Sequence, residues 1–200
     1  MIGFLLRLSI AIWNGFFGPS PGAAGDSMLI HGMAVNFPED LILEIWHGLN
    51  YFTFLLSKVY SATTDTLFWG CLLSCFAWVG SAIFLLKIMD VLSFSKRNKA
   101  KAMLVYVLLP SSIFFTGITL REPYQLLFVN ISIFLALKVV LNKSFFHGFI
   151  FFPVVIGMSA LHKGLFVFGF LIVVSTLIML VRGRIKGFSF GKMVIVMPVI

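Results

Sequence analysis

The sequence predicts an all-α fold, a polytopic transmembrane helix bundle with amphipathic juxtamembrane helices in its first outer loop. Three observations carry this. Of 200 residues, 60% are hydrophobic and only 11% charged, with a mean hydropathy of +1.06, against about 45–50% apolar and about 25% charged in a soluble domain. The apolar residues fall in runs of about membrane-spanning length. The basic residues collect between alternate runs, as topology signals do. A load of 24 Phe suits lipid-facing and bundle-packing surfaces.

The first run, residues 2–17, is apolar except for Arg7, Ser9 and Asn14. It is short for a span, which needs roughly 20 residues. It reads as an uncleaved first helix, or as a signal peptide with Arg7 as a weak basic start. Residues 18–25 hold Gly18, Pro19, Pro21, Gly22 and Gly25, and no helix survives such a cluster.

The loop 18–64 is the one long stretch that is not membrane-like. With its edge it holds five of the seven acids: Asp26, Glu39, Asp40, Glu44 and Asp65. Asp26-Ser27 suits an N-cap before a helix over 28–35, and Pro38 followed by Glu39 and Asp40 is a second start signal. Residues 41–60 read as a helix lying in the interface, with Trp46, Tyr51 and Tyr60 as belt residues. A tilted true span here is the alternative, and it would invert everything downstream.

The clearest span is 66–89, along which Gly70, Ser74, Ala77 and Ser81 form a small-residue stripe for close helix approach. Cys71 and Cys75 lie on one helical face, where a disulfide is geometrically poor, and read as buried packing residues. Further spans are expected at 102–120, with Pro110 inside it, and at 123–141, 145–161 and 164–181. A seventh starts at Met193 with too few residues to cross before Ile200. The expectation is one membrane domain over 1–200, the N-terminal part of a longer protein or of a truncated gene.

Charge decides orientation. With the N-terminus cytoplasmic, the inner ends collect Lys87, Lys96, Arg97, Lys99, Lys101, Lys138, Lys143, Arg182, Arg184, Lys186 and Lys192, and the outer side only Lys58, Arg121 and Lys163. Every acid except Asp90 then falls outside. The basic runs read as topology signals beside anionic membrane lipid, so no nucleic-acid partner is invoked. The sequon-like Asn130-Ile131-Ser132 lies inside a span, and no phosphate-binding P-loop, GxSxG, HExxH or CxxC pattern occurs.

Candidate chemistry gathers on the outer side. Asp26 and Glu122 are carboxylates at the mouths of helix hairpins. Either could act as a general base, and the two could share a divalent metal ion. Arg121 is the outer arginine best placed to grip a phosphate. His31, and the pair His162-Lys163, are candidate phosphate or substrate contacts. The structural alternatives are that Asp26 caps a helix, that Arg121-Glu122 ends one, and that His31 is a plain interfacial histidine. Glu39, Asp40 and Glu44 read as solvated dipole partners, and His47 as interfacial.

Asp26-Ser27-x-x-x-His31-x-x-Ala34, after the first helix, resembles the first-loop signature of the multispanning lipid-linked-sugar glycosyltransferases of the GT-C class. Protein O-mannosyltransferases and aminoarabinose–lipid A transferases belong to that class. The stretch Leu109-Pro110-Ser111-Ser112-Ile113-Phe114-Phe115, followed by Leu120-Arg121-Glu122-Pro123, is similar to a segment of bacterial cell-surface polysaccharide membrane proteins of this type. Together the similar segments cover most of residues 1–142. The resemblance implies transfer of a sugar from a polyprenyl-phosphate carrier to an acceptor at the outer face of a bacterial inner membrane. Asp26 would map to the first-loop catalytic acid, Glu122 to the acid of the second outer loop, and Arg121 to the donor phosphate. The chain departs from the pattern where Ser27 replaces the usual acid paired with Asp26.

Two other readings stand beside it. A polymerase or ligase of the O-antigen type would depend on Arg121 more than on Asp26. The other is a transporter or a non-catalytic membrane component, of which a transporter should show polar groups near the midplane and broken helices. The mid-span positions read as almost purely apolar, which argues against a transporter.

Overall fold

The computed structural model describes residues 1–20, 25–38, 48–143 and 145–182. Among them are nine helices and no strand: α1 Ile2–Phe16, α2 Asp26–Val35, α3 Gly48–Ala62, α4 Leu67–Val91, α5 Lys96–Leu108, α6 Pro110–Gly117, α7 Glu122–Asn142, α8 Phe145–Leu161 and α9 Lys163–Arg182. The chain is an integral membrane protein: α4, α7 and α9 are long and apolar enough to cross a bilayer, and α1 and α8 are shorter apolar helices. The expectations for Glu39, Asp40, Glu44, Trp46 and His47, and for the seventh run at 193–200, lie outside the described residues.

The run expected as one span at 102–120 is broken. Proline has no N–H and disfavours helical backbone in the residue before it. Leu109 accordingly adopts φ −59 and ψ 115, and Pro110 starts α6 as a new helix. The pair α5–α6 bends by 57°. α5 itself starts on a serine cap, the Ser95 hydroxyl accepting from the Asn98 N–H at 3.3 Å.

The small-residue stripe of α4 is buried as expected, together with Cys71, Cys75 and Trp78. It receives α7 on one side and α1 and α6 on the other. Asn130 of α7 donates to the Ser81 hydroxyl at 2.7 Å and to its carbonyl at 3.2 Å. Both cysteines are free and fully buried. Glycine is required at position 70, since a Cβ there would lie 2.5 Å from Thr119 Oγ1 and 3.0 Å from the Tyr60 hydroxyl.

Two ends of the bundle follow from these contacts. At the first, the loop end, Gly15 near the end of α1 meets Phe68 of α4. There the Thr119 hydroxyl faces the Leu67 carbonyl, and Arg121 faces the Leu161 carbonyl at the end of α8. A buried cluster of Ile30, Ala34, Phe52, Leu56, Tyr60, Ile118, Leu120 and Leu161 ties α2 and α3 to this end. At the opposite, basic end, Lys99 pairs with Asp90, and Lys143 closes α7 in a left-handed conformation. α2 buries Ile30 and Ala34 yet exposes Met28, Leu29 and Val35, so it is apolar on both faces and lacks the polar face of an amphipathic surface helix.

Gly70→Val is expected to destabilise the protein by about 1–3 kcal/mol, the usual range for overpacking a filled interior. Reversible unfolding in mixed micelles measures it.

Candidate functional site

The loop end holds the sequence-predicted site residues, and each owes its place to a helix terminus. Asp26 is the first residue of α2, with its carboxylate exposed. Gly25, not Asp26, occupies the cap position, and no side chain caps this helix. An acid in a first turn is stabilised by the helix dipole and stays available to solvent. Glu122 stands likewise at the start of α7, exposed, with Pro123 buried behind it. Arg121 is half-buried, and its Nη1 donates to the Leu161 carbonyl at 3.4 Å. His162 follows Leu161 directly, and its Nδ1 accepts the Gly164 N–H at 3.0 Å, which caps α9. Lys163 begins α9, and its side chain lies outside the described residues.

Arg121, Glu122 and His162 thus form one patch where the turn before α7 meets the end of α8. Asp26 stands on α2, a helix packed into the same cluster as Leu120. Two clefts open at this end. One of about 490 Å³ lies along α2, lined by Met28, Leu29, Gly32, Met33, Asn36 and Phe37. The other, of about 340 Å³, lies between α2 and α3 and is more polar, with Ser57, Lys58, Tyr60, Ser61 and Asp65 in its wall. Neither cleft is lined by Asp26, Arg121 or Glu122.

His31 is half-buried and pairs with Tyr60, Nδ1 to hydroxyl at 3.0 Å, the rings meeting edge to face. Burial holds the imidazole below its ordinary value of 6.5, against an opposing pull from Asp65. Burial also pushes the Tyr60 phenol well above its usual range. Nδ1 and the phenol oxygen thus share one hydrogen bond, whose direction follows the imidazole tautomer. His31 joins α2 to α3 through Tyr60, which stands in the wall of the polar cleft.

Sequence reasoning missed two sets of residues. Lys58, Tyr60 and Asp65 were read only as an outer-side charge, a belt residue and a loop-edge acid, and the packing of α2 on α3 gathers them in one cleft. Arg7 was read as a weak basic start; it is fully buried. Its Nε donates to the Thr116 hydroxyl at 2.6 Å and its Nη2 to Ser112 at 3.0 Å. Its Nη1 donates to the carbonyls of Gly3 at 2.9 Å and Val107 at 3.2 Å. The guanidinium carbon lies 3.6 Å from the Trp78 ring centroid, at the twelfth of the 25 residues of α4. Trp78 stacks on Tyr106, whose hydroxyl donates to Ser81, the partner of Asn130. The expectation of an almost purely apolar midplane is therefore corrected: a polar track crosses the bundle. The signal was present in α1, where Gly3, Arg7, Ala11 and Asn14 recur at three- and four-residue spacing, and all four are buried.

Among the described residues no three His, Cys, Asp or Glu side chains gather as metal ligands. No family model, curated protein or solved structure matches the chain.

Acidification is expected to loosen α2 from α3. The unfolded chain takes up a proton on His31 near pH 6.5, while the folded protein resists it until lower pH. His31 should therefore contribute no pH dependence above that value. Stability should fall as pH drops below it, until the folded state is protonated too. His31→Gln should flatten this part of the profile, measured by unfolding of the full chain between pH 5 and 8.

Proposed function

We propose that this integral membrane protein is a glycosyltransferase that moves a sugar from a polyprenyl-phosphate donor to an acceptor at the loop end, the outer face of a bacterial inner membrane, with its N-terminus in the cytoplasm. The supporting observation is that Arg121, Glu122 and the helix carrying Asp26 share one end of the bundle, away from the basic end. A polyprenyl tail does not leave the bilayer, so its sugar phosphate has to be met by groups at helix ends. In this reading an acceptor hydroxyl attacks the anomeric carbon while the Asp26 carboxylate takes its proton. The bond from that carbon to the phosphate oxygen breaks, and polyprenyl phosphate leaves with the electron pair, its charge met by Arg121. Glu122, His31, His162 and Lys163 contact donor or acceptor. Asp26 and Glu122 are the carboxylates that could share a divalent metal ion, and no step is routed through one.

A second reading, a transporter or non-catalytic membrane component, is favoured by the broken span α5–α6 and by the buried Arg7 near mid-helix in α4.

Asp26→Asn should lower transfer from a polyprenyl-phosphate sugar by about a hundredfold or more, the usual worth of a general base, with unchanged accumulation in the membrane. Retained transfer alongside its loss in Arg121→Ala would point to a polymerase or ligase instead. Equal transfer in both variants and wild type would remove Asp26 and Arg121 from the mechanism, and no transfer in any would leave the second reading. For orientation, a cysteine placed at Thr64 should react with an impermeant maleimide from outside the cell and one at Asn98 should not.

A further inference from the structure

Arg7 is the one charged residue among the buried side chains described, and it has no carboxylate partner. An ion pair therefore does not explain it. The break beside it does. Where α5 stops at Leu108, its last carbonyls lose their helical donors, and Pro110 has no N–H to offer. In hydrocarbon no water replaces those donors, so the protein has to supply them. The Leu109 N–H reaches the Val105 carbonyl, and Arg7 Nη1 reaches that of Val107. The rest of the same planar fork binds Ser112 and Thr116, one turn apart on α6, and the Gly3 carbonyl of its own helix. Trp78 of α4 closes its face. One guanidinium thus joins both sides of the break to two further helices.

The contact continues toward the loop end. A Cβ on Gly117, at the end of α6, would lie 2.9 Å from Ile10 Cβ and 3.3 Å from the Arg7 carbonyl. Two residues on, Thr119 covers Cys71, hydroxyl to sulfur at 3.4 Å, and after Leu120 the chain presents Arg121 and Glu122.

We infer that Arg7 is the positioning residue of the broken span: it holds α6 at its angle to α5 and so sets where the turn bearing Arg121 and Glu122 meets the loop end. This does not rest on the sugar-transfer reading. Lysine is no substitute, because an ammonium is a point charge without the fork that reaches both sides of the break.

The two native thiols test it: Cys71 lies fully buried under Thr119, in the turn that follows α6, and Cys75, equally buried, shares its cluster with Ala11 of α1. The full chain in phospholipid vesicles is reacted with N-ethylmaleimide. Arg7→Met and Arg7→Lys should both raise the labelling rate by about tenfold or more, the factor expected from losing even one charged hydrogen bond. Leu135→Ala, a cavity variant in the cluster of α7, α8 and α9, should leave the rate within about twofold of wild type, because separate sites act independently. Slow labelling of Arg7→Lys would overturn the inference, since charge alone would then suffice. Equal acceleration by Leu135→Ala would also overturn it, as general loosening. Should the Arg7 variants fail to accumulate, Ser112→Ala with Thr116→Val removes the α6 partners and keeps Arg7. That variant should also label faster, and an unchanged rate would refute the idea.

Discussion

Hydrocarbon offers no solvent to a stranded carbonyl or a bare charge, and the interior of this bundle is arranged around that constraint. A proline breaks the span α5–α6, the break frees backbone acceptors, and a buried arginine answers them. The arginine in turn needs its remaining donors filled. Ser112 and Thr116 of α6 and the Gly3 carbonyl fill them, so four of its five N–H groups are engaged. Some polar side chains of the core link to one another: Tyr106 lies on Trp78 and bonds Ser81, which holds Asn130, although the buried Trp78 indole N–H finds no acceptor among the described residues. A chain that reads as grease with occasional polar residues is, inside, a connected polar track walled by apolar helices.

From the Arg7 fork the packing leads to the loop end, where the candidate residues lie. α6 passes from the Arg7 fork to the turn that presents Arg121 and Glu122, and the same turn packs Ile118 and Leu120 against α2 and α3. His31 and Tyr60 tie those two helices together over Gly70 of α4. Loop helices that sequence alone would leave floating on the membrane surface are thereby docked on the bundle. A small residue at position 70 is what lets Tyr60 and Thr119 approach α4 from two directions. The acids Asp26 and Glu122 stay exposed at helix starts, where the dipole favours them.

Much of the fold was legible. Runs of apolar residues marked the helices of the bundle, and the stripe from Gly70 to Ser81 marked the face of α4 that others approach, whereas the start of α5 at the Ser95 cap, six residues before the expected span, was not read. The break at Pro110 was visible as a residue and was still read as part of a continuous span, because proline is tolerated in membrane helices whenever neighbours supply the missing donors. The site was legible in part. Asp26, Arg121, Glu122 and His162 could be named from their positions at helix ends. The pairing of His31 with Tyr60 depends on how α2 meets α3, and no local pattern encodes a contact 29 residues apart.

What the sequence by itself determined is the class of molecule and the division of its charges. Hydropathy and the clustering of basic residues are properties of composition and order, and transfer into lipid acts on them residue by residue. Tertiary structure decided what Arg7 is for. Its partners Val107, Ser112 and Thr116 lie 100 to 109 residues away. A charge in an apolar run becomes a topology signal or a buried clamp according to which carbonyls the folded chain brings within its reach.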